Sequence, residues 1–244
     1  MPKLRLLPII LLMLWYKPAL ASSLALSPFE AVYRTTYNLG VSIDVKAQRS
    51  LSQKPDGTWV LDFHAKNWFA KIQQTSTFNW GEDNHLMPLL YRRYQSVFGN
   101  SKEQRVIFHW DNMQVTNDID NKPWLMNILP GTQDLLSYQL KLRYDLQASP
   151  EQKDFVYEVA DGGKVKTFTF RVIGEETINT PMGQLNSIKI ESLRHSEKDV
   201  EHLIWLAKDW DNMLVRVEAV RKRDEEEPIV LHSATVNGIQ MKGF

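Results

Sequence analysis

The chain has 244 residues, 29 of them basic and 29 acidic, with six histidines and no cysteine. A balanced charge leaves out the basic footprint of a nucleic-acid binder. The lack of cysteine leaves out a disulfide framework, a thiol nucleophile and lipid attachment through a thiol.

The first 21 residues read as a removable leader. Lys3 and Arg5 form a basic start, Leu6 to Leu14 an apolar run broken by Pro8, and Ala19-Leu20-Ala21 a small-x-small cleavage site. An apolar run of about nine residues is far shorter than the roughly 20 that span a bilayer. The expectation is a signal peptide over 1–21, cleaved after Ala21, and an exported periplasmic protein without a lipid anchor. Residues 22–244, with 26 basic and 29 acidic side chains, are expected to form a single β-rich domain.

Short β-type runs and turn signals then alternate. Phe29 to Tyr37 and Val41 to Ser50 are separated by Asn38-Leu39-Gly40. Lys54-Pro55-Asp56-Gly57 is a type I turn, with Pro55 presetting φ and Gly57 in the fourth position. Thr58 to Lys66 and Ala70 to Trp80 form a pair whose connection, Asn67-Trp68-Phe69, is apolar where a polar turn is normal. Leu86 to Phe98, Gln104 to Trp110 and Met113 to Asn117 follow. The tetrapeptide Trp-Asp-Asn-Met occurs at Trp110 and again at Trp210, which predicts two similar hairpins.

Pro130 to Arg143 predicts the one main helix, over Gly131 to Arg143. Thr132 is placed to cap it, Asp134 in its first turn, and Lys141 and Arg143 in its last. Its apolar residues are too many for one stripe, so burial on most sides is expected. Beyond it, Phe155, Tyr157 and Val159 alternate up to the turn Asp161-Gly162-Gly163. The partner strand has apolar residues on both faces, which predicts a sandwiched hairpin. Glu175 to Thr180, Gln184 to Leu193, Glu201 to Ala207, Met213 to Val220 and Ile229 to Val236 bring the count to about thirteen strands. The charged run from Arg221 to Glu227 reads as a solvated hairpin loop.

No motif for a serine elbow, phosphate loop or zinc protease is present. His195, Glu197, Asp199, Glu201 and His202 are the best metal candidates, but the run falls where a solvated turn is expected. The acids worth naming are Asp134 and Asp161, and a helix terminus and a turn account for them. No catalytic residue, metal or cofactor is assigned.

The aromatic content of the first third is the functional signal. Trp59, Phe63, Trp68, Phe69, Phe78, Trp80 and Tyr91, with Leu136 and Leu140 from the helix, are the candidate ligand-binding residues of an apolar cavity on a curved sheet. The competing reading is that they are core. Trp68 and Phe69 at a loop tip are candidates for transient membrane contact.

Several segments carry a family resemblance: Pro28-Phe29-Glu30-Ala31-Val32-Tyr33, Gln133-Asp134-Leu135-Leu136-Ser137, Val159-Ala160-Asp161-Gly162-Gly163-Lys164, Thr180-Pro181-x-Gly183 and Leu203-Ile204-Trp205-Leu206-Ala207. Together they resemble the DUF3108 family of exported bacterial proteins over roughly residues 28 to 237. The resemblance implies export and a β-rich fold, and it hands over no catalytic residues. By order of elements the chain also resembles the half-open antiparallel barrels that wrap a helix in periplasmic lipoprotein carriers. The expected architecture is therefore all-β, a curved antiparallel sheet or half-open barrel around a single helix. The expected function is non-enzymatic binding or transport of an apolar or lipid-like ligand in the cell envelope. The alternatives are a protein-protein interaction module assisting envelope assembly and a hydrolase with an unrecognised site.

Overall fold

The computed structural model describes residues 25–38, 42–82, 85–193, 200–220 and 227–244. The expected signal peptide lies outside them, as do the metal candidates His195, Glu197 and Asp199 and the charged run up to residue 226.

The first eight strands form a meander: β1 (Phe29–Asn38), β2 (Ser42–Gln53), β3 (Trp59–Lys66), β4 (Ala70–Trp80), β5 (Leu86–Val97), β6 (Asn100–His109), β7 (Gln114–Ile119) and β8 (Lys122–Asn127). After helix α1 (Ser137–Ala148) comes a second meander: β9 (Asp154–Asp161), β10 (Lys164–Thr180), β11 (Gly183–Leu193), β12 (His202–Ala207), β13 (Met213–Ala219) and β14 (Ile229–Val236). A short β15 (Ile239–Gln240) pairs with β14. The two meanders join where β1 pairs antiparallel with β14. The described strands thus make one curved antiparallel sheet whose outer edges are β8 and β9, consecutive in the chain and not paired with each other.

Period-two patterning decides which face turns inward. In β3, Trp59 and Leu61 are buried while His64 and Lys66 face solvent. The register carries that face across the sheet, pairing Leu61 with Leu51 and with Ser76, and Tyr91 with Val106. Leu61, Phe78, Tyr91 and Val106 have no exposed surface and centre the larger core.

Helix α1 runs between the two halves of the sheet. Leu140 and Tyr144 pack into the larger core, and Leu142 and Leu146 into a second core with Phe155, Val159, Phe170 and Leu206. Positions two apart lie about 200° apart around a helix, so the two pairs face opposite ways. The excess of apolar residues over a single stripe follows from this.

The helix begins later than its sequence suggests. Gln133 does not turn helically; it adds to the edge of β9, its N–H donating to the Glu158 carbonyl at 2.8 Å and its carbonyl accepting from Ala160 at 2.9 Å. Thr132 bonds back to Leu129 instead of capping. Asp134 is the residue that holds the helix start: its Oδ1 accepts from the Leu136 and Ser137 amides at 2.8 and 2.9 Å. The helix continues to Ala148, so Lys141 and Arg143 lie mid-helix, with Lys141 bonded to Asp145 one turn on.

Other expectations change for equally local reasons. β8 was hidden because its turn, Asp120-Asn121, has no glycine; both residues take positive φ, which Asp and Asn tolerate. The runs before and after Gly174 are one 17-residue strand, with a register shift between Val172 and Gly174. The β9–β10 hairpin is packed on both faces only near its turn, where Ala160 and Val165 join the larger core; farther along that face Val156 is exposed. The repeated tetrapeptide makes two different turns, with Met113 left-handed in one and Asp211 and Asn212 in the other.

The β9–β10 turn is where the sheet edges approach. Gly163 has φ +85°, and a Cβ there would lie 2.5 Å from the Trp124 ring of β8. Gly57 has the same φ and open space around it. Gly57→Ala should cost about 1 kcal/mol and Gly163→Ala about 3 kcal/mol, measured by urea unfolding. In a Trp124→Ala background the two glycine changes should cost the same.

Candidate ligand cavity and aromatic tip

The second core does not fill its half of the barrel. A cavity of about 810 Å³ lies between α1 and the inward faces of β10 to β13. Its apolar walls are Leu142 on the helix and Phe168, Phe170, Ile204, Leu206, Leu214 and Val217 on the strands. Tyr138 stacks on Phe170 at 5.6 Å between ring centroids and meets Phe168 edge-on at 5.2 Å. Tyr157 donates to Asp145 Oδ2 at 2.8 Å, and burial pushes its hydroxyl well above the usual phenol range.

The charged lining is of one sign. Arg49, Arg143, Lys164 and Lys166 line the cavity, and no described lining residue is acidic. Arg49 enters from β2 on the inward stripe that also carries Ala47 and Leu51, opposite Phe63. Burial above all lowers its pKa to about 10, with the Arg143 guanidinium acting the same way and the Tyr33 hydroxyl opposing. Arg143 donates from Nε to the Asp211 carbonyl at 3.2 Å and lies 5.0 Å over the Phe29 ring. Lys166 is paired with Asp161 at 2.6 Å at the end of the β9–β10 hairpin.

None of the nine residues expected to bind a ligand lines this cavity. Trp59, Phe78, Tyr91, Leu136 and Leu140 are buried in the larger core, and Phe63 and Trp80 pack against it. Trp80 meets Tyr144 of the helix at 4.9 Å. The aromatic crowd fills its half of the barrel because the helix face carrying Leu140 and Tyr144 is pressed into it. The residues that do line the space were missed, although Arg49 left a readable sign: a cation in an otherwise apolar period-two stripe.

Trp68 and Phe69 are at the tip of the β3–β4 hairpin, as expected. The Asn67 side chain fixes the turn, its Oδ1 accepting from the Phe69 and Ala70 amides at 3.1 and 2.7 Å. Phe98, from the β5–β6 hairpin, joins them: it stacks on Phe69 at 5.0 Å and meets Trp68 at 6.1 Å. Trp68 is 78% and Phe98 69% exposed. Phe98 also has φ +47°, a conformation bulky residues rarely adopt. On the outer face beside the tip, Lys46 is opposite Lys66, and Lys66 opposite Lys71.

Among the described residues no three His, Asp or Glu side chains converge on a metal site. Asp161 holds Lys166 at the hairpin end. Asp134 is fully buried, and its Oδ2 accepts from the Ser76 hydroxyl of β4 at 2.6 Å.

A family model described as "Protein of unknown function (DUF3108)" matches residues 32–222. No curated protein matches the sequence. Among solved structures, the chain is similar to a beta-barrel-like protein of domain of unknown function DUF1849 from Brucella abortus. The likeness has a TM-score of 0.58 at 12% identity and covers 88% of this chain and 99% of that one. At that identity it shows the fold, a barrel-like sheet around a helix.

The Asp134 carboxyl is held above the usual range by burial, against the opposing pull of its Ser76, Ser137 and Leu136 hydrogen bonds. Between the ordinary carboxylate value and the raised one, the folded protein therefore keeps a proton that the unfolded chain has released. The linked stability is greatest at low pH and falls as pH rises between the ordinary carboxylate value and the raised one. Asp134→Asn should fold and flatten that slope in urea titrations at stepped pH. Asp134→Ala, which leaves two amides and Ser76 without an acceptor, should cost about 2–4 kcal/mol at neutral pH.

Proposed function

The chain belongs to the DUF3108 family of proteins of unknown function, and on that footing we propose that it is an exported, non-enzymatic carrier of an apolar, lipid-like ligand. The observation that carries this reading is the cavity of about 810 Å³ walled by Leu142, Phe168, Phe170, Leu206 and Leu214. A space of that size is within the range of small-molecule sites. Each methylene moved from water onto such walls contributes about 0.8 kcal/mol, so a long acyl chain is the ligand best matched to them.

The aromatic tip fits the same role. A carrier takes its ligand from a bilayer, and Trp68, Phe69 and Phe98 are the side chains suited to enter a lipid interface. Lysines placed directly opposite one another weaken a sheet in water. Lys46, Lys66 and Lys71 beside the tip would be relieved by an anionic lipid surface. Backbone strain at Phe98, which stacking with Phe69 alone does not require, points the same way.

A second reading, an interaction module of the envelope, draws on the sheet edges. Leu125 on β8 and Val156 on β9 are exposed on the two edge strands, where a partner strand could add along β8 or along β9 beside the Gln133 rung. A complex formed this way should be lost on Leu125→Lys without change in ligand content.

The carrier reading is checked by native mass spectrometry of gently purified protein. The wild type should carry an added lipid-sized mass, and Val217→Trp, which fills the cavity, should be empty at an unchanged melting temperature. An empty wild type would overturn the reading. Flotation with anionic vesicles tests the tip. Trp68→Ser with Phe69→Ser should lose binding. Phe98→Asn should bind more weakly yet be about 1 kcal/mol more stable, because asparagine tolerates the left-handed backbone.

A further inference from the structure

We propose that the ligand in this cavity carries an oxyanion head, a carboxylate or phosphate on a long acyl chain, and that Arg49 is the residue that receives it. This rests on the carrier reading and adds to it the chemical class of the ligand and the group that recognises it.

The argument begins with unused donors. Arg49 is 5% exposed, lines the cavity, and makes one side-chain hydrogen bond, from Nη1 to Gln139 Oε1 at 2.9 Å. Its Nε and Nη2 are buried without a partner. A guanidinium has five N–H donors in a fixed fork, never accepts, and keeps its charge. Nε and Nη2 lie along one edge of that fork. Their two parallel N–H bonds match the two oxygens of a carboxylate or phosphate. Gln139 thus engages the other end of the group and leaves the bidentate edge free.

Among the described residues no carboxylate balances the charge. Arg49 forms no ion pair with a described residue, and a second buried cation, Arg143, acts on it. Arg143 is itself satisfied by a backbone carbonyl and an aromatic face. Lys164 adds a further cation to a lining without described acids. A buried charge without a counter-ion costs several kcal/mol. Core packing gives no reason for that cost here, because the same inward stripe is otherwise apolar. An anion drawn into the cavity would offset it, with the acyl chain lying along Phe168, Phe170, Leu206 and Leu214.

The test compares heads on one chain. Titration calorimetry of the full mature protein is run with palmitate, a palmitoyl lysophosphatidate and hexadecanol, each below its micelle concentration. At least one anionic ligand should bind about tenfold or more tightly than the alcohol, and the tighter one identifies the head. Arg49→Lys keeps the charge but not the fork, and Arg49→Met keeps the bulk but not the charge. Both should lose that preference while hexadecanol affinity stays within about twofold. Melting curves follow both variants, and Arg49→Met should melt no lower than wild type. Equal binding of anion and alcohol by the wild type would overturn the proposal and leave the carrier reading standing. Binding of none of the three would overturn both. The wild-type comparison decides the matter even if a variant does not fold.

Discussion

The outer edges of the sheet, β8 and β9, follow one another in the chain but do not pair. The segment joining them has to cross the open side of the barrel, and everything inside depends on where it is fastened. Two side chains do this. Gln133 adds one rung to the edge of β9 and donates from Nε2 to the carbonyl of Leu86 on β5, 3.1 Å away. One residue on, the buried Asp134 carboxylate accepts two amides at the start of α1 with one oxygen and the Ser76 hydroxyl of β4 with the other. The helix is thus located against both halves of the sheet before its first turn is complete. A buried carboxylate is an expensive anchor. Here its acceptor positions go to groups that would otherwise be orphaned.

From that anchor the two sides of the helix have different outcomes. The side carrying Leu140 and Tyr144 meets strands dense in large rings, and the space closes. The side carrying Leu142 and Leu146 meets the second meander, where Phe168 and Phe170 leave room beyond Tyr138. One helix therefore serves as core filler on one side and as cavity wall on the other. Which half of the barrel keeps an open space is a matter of side-chain volume and not of topology.

This is also why the fold was more legible than the site. Alternation, turn residues and a two-sided apolar helix are local signals. They place most strands to within a residue or two, from Ala70–Trp80 to Ile229–Val236. What failed locally was what a partner decides: Gln133 was drawn from the helix to the edge of β9, and Asp120-Asn121 turned the chain without a glycine. The site failed for a different reason. Aromatic density along the sequence says how much volume is present, not how much space it leaves, so Trp59, Phe78 and Tyr91 signalled a cavity where they make a core. Arg49 was the better clue, because a cation in an apolar stripe reports on its surroundings at once. The Trp68-Phe69 tip was legible because an apolar hairpin turn contradicts its own position. Phe98 escaped notice by sitting at the end of a strand run.

The sheet is not equally strong all the way round. β1 and β2 match over ten register pairs, whereas β13 and β14 match over two among the described residues, Arg216 with Val230 and Val217 with Ile229. Val217 also lines the cavity. Across this seam the Tyr33 hydroxyl donates to the Leu214 carbonyl at 2.9 Å, a single stitch from β1 to β13. Such a seam is the part of a barrel that opens at the lowest free energy. Parting it would release only a few rungs while baring the apolar cavity wall along its length. On the carrier proposal, a ligand would then enter sideways, as through a slit in a sleeve, and would not have to be threaded to Arg49 from an end.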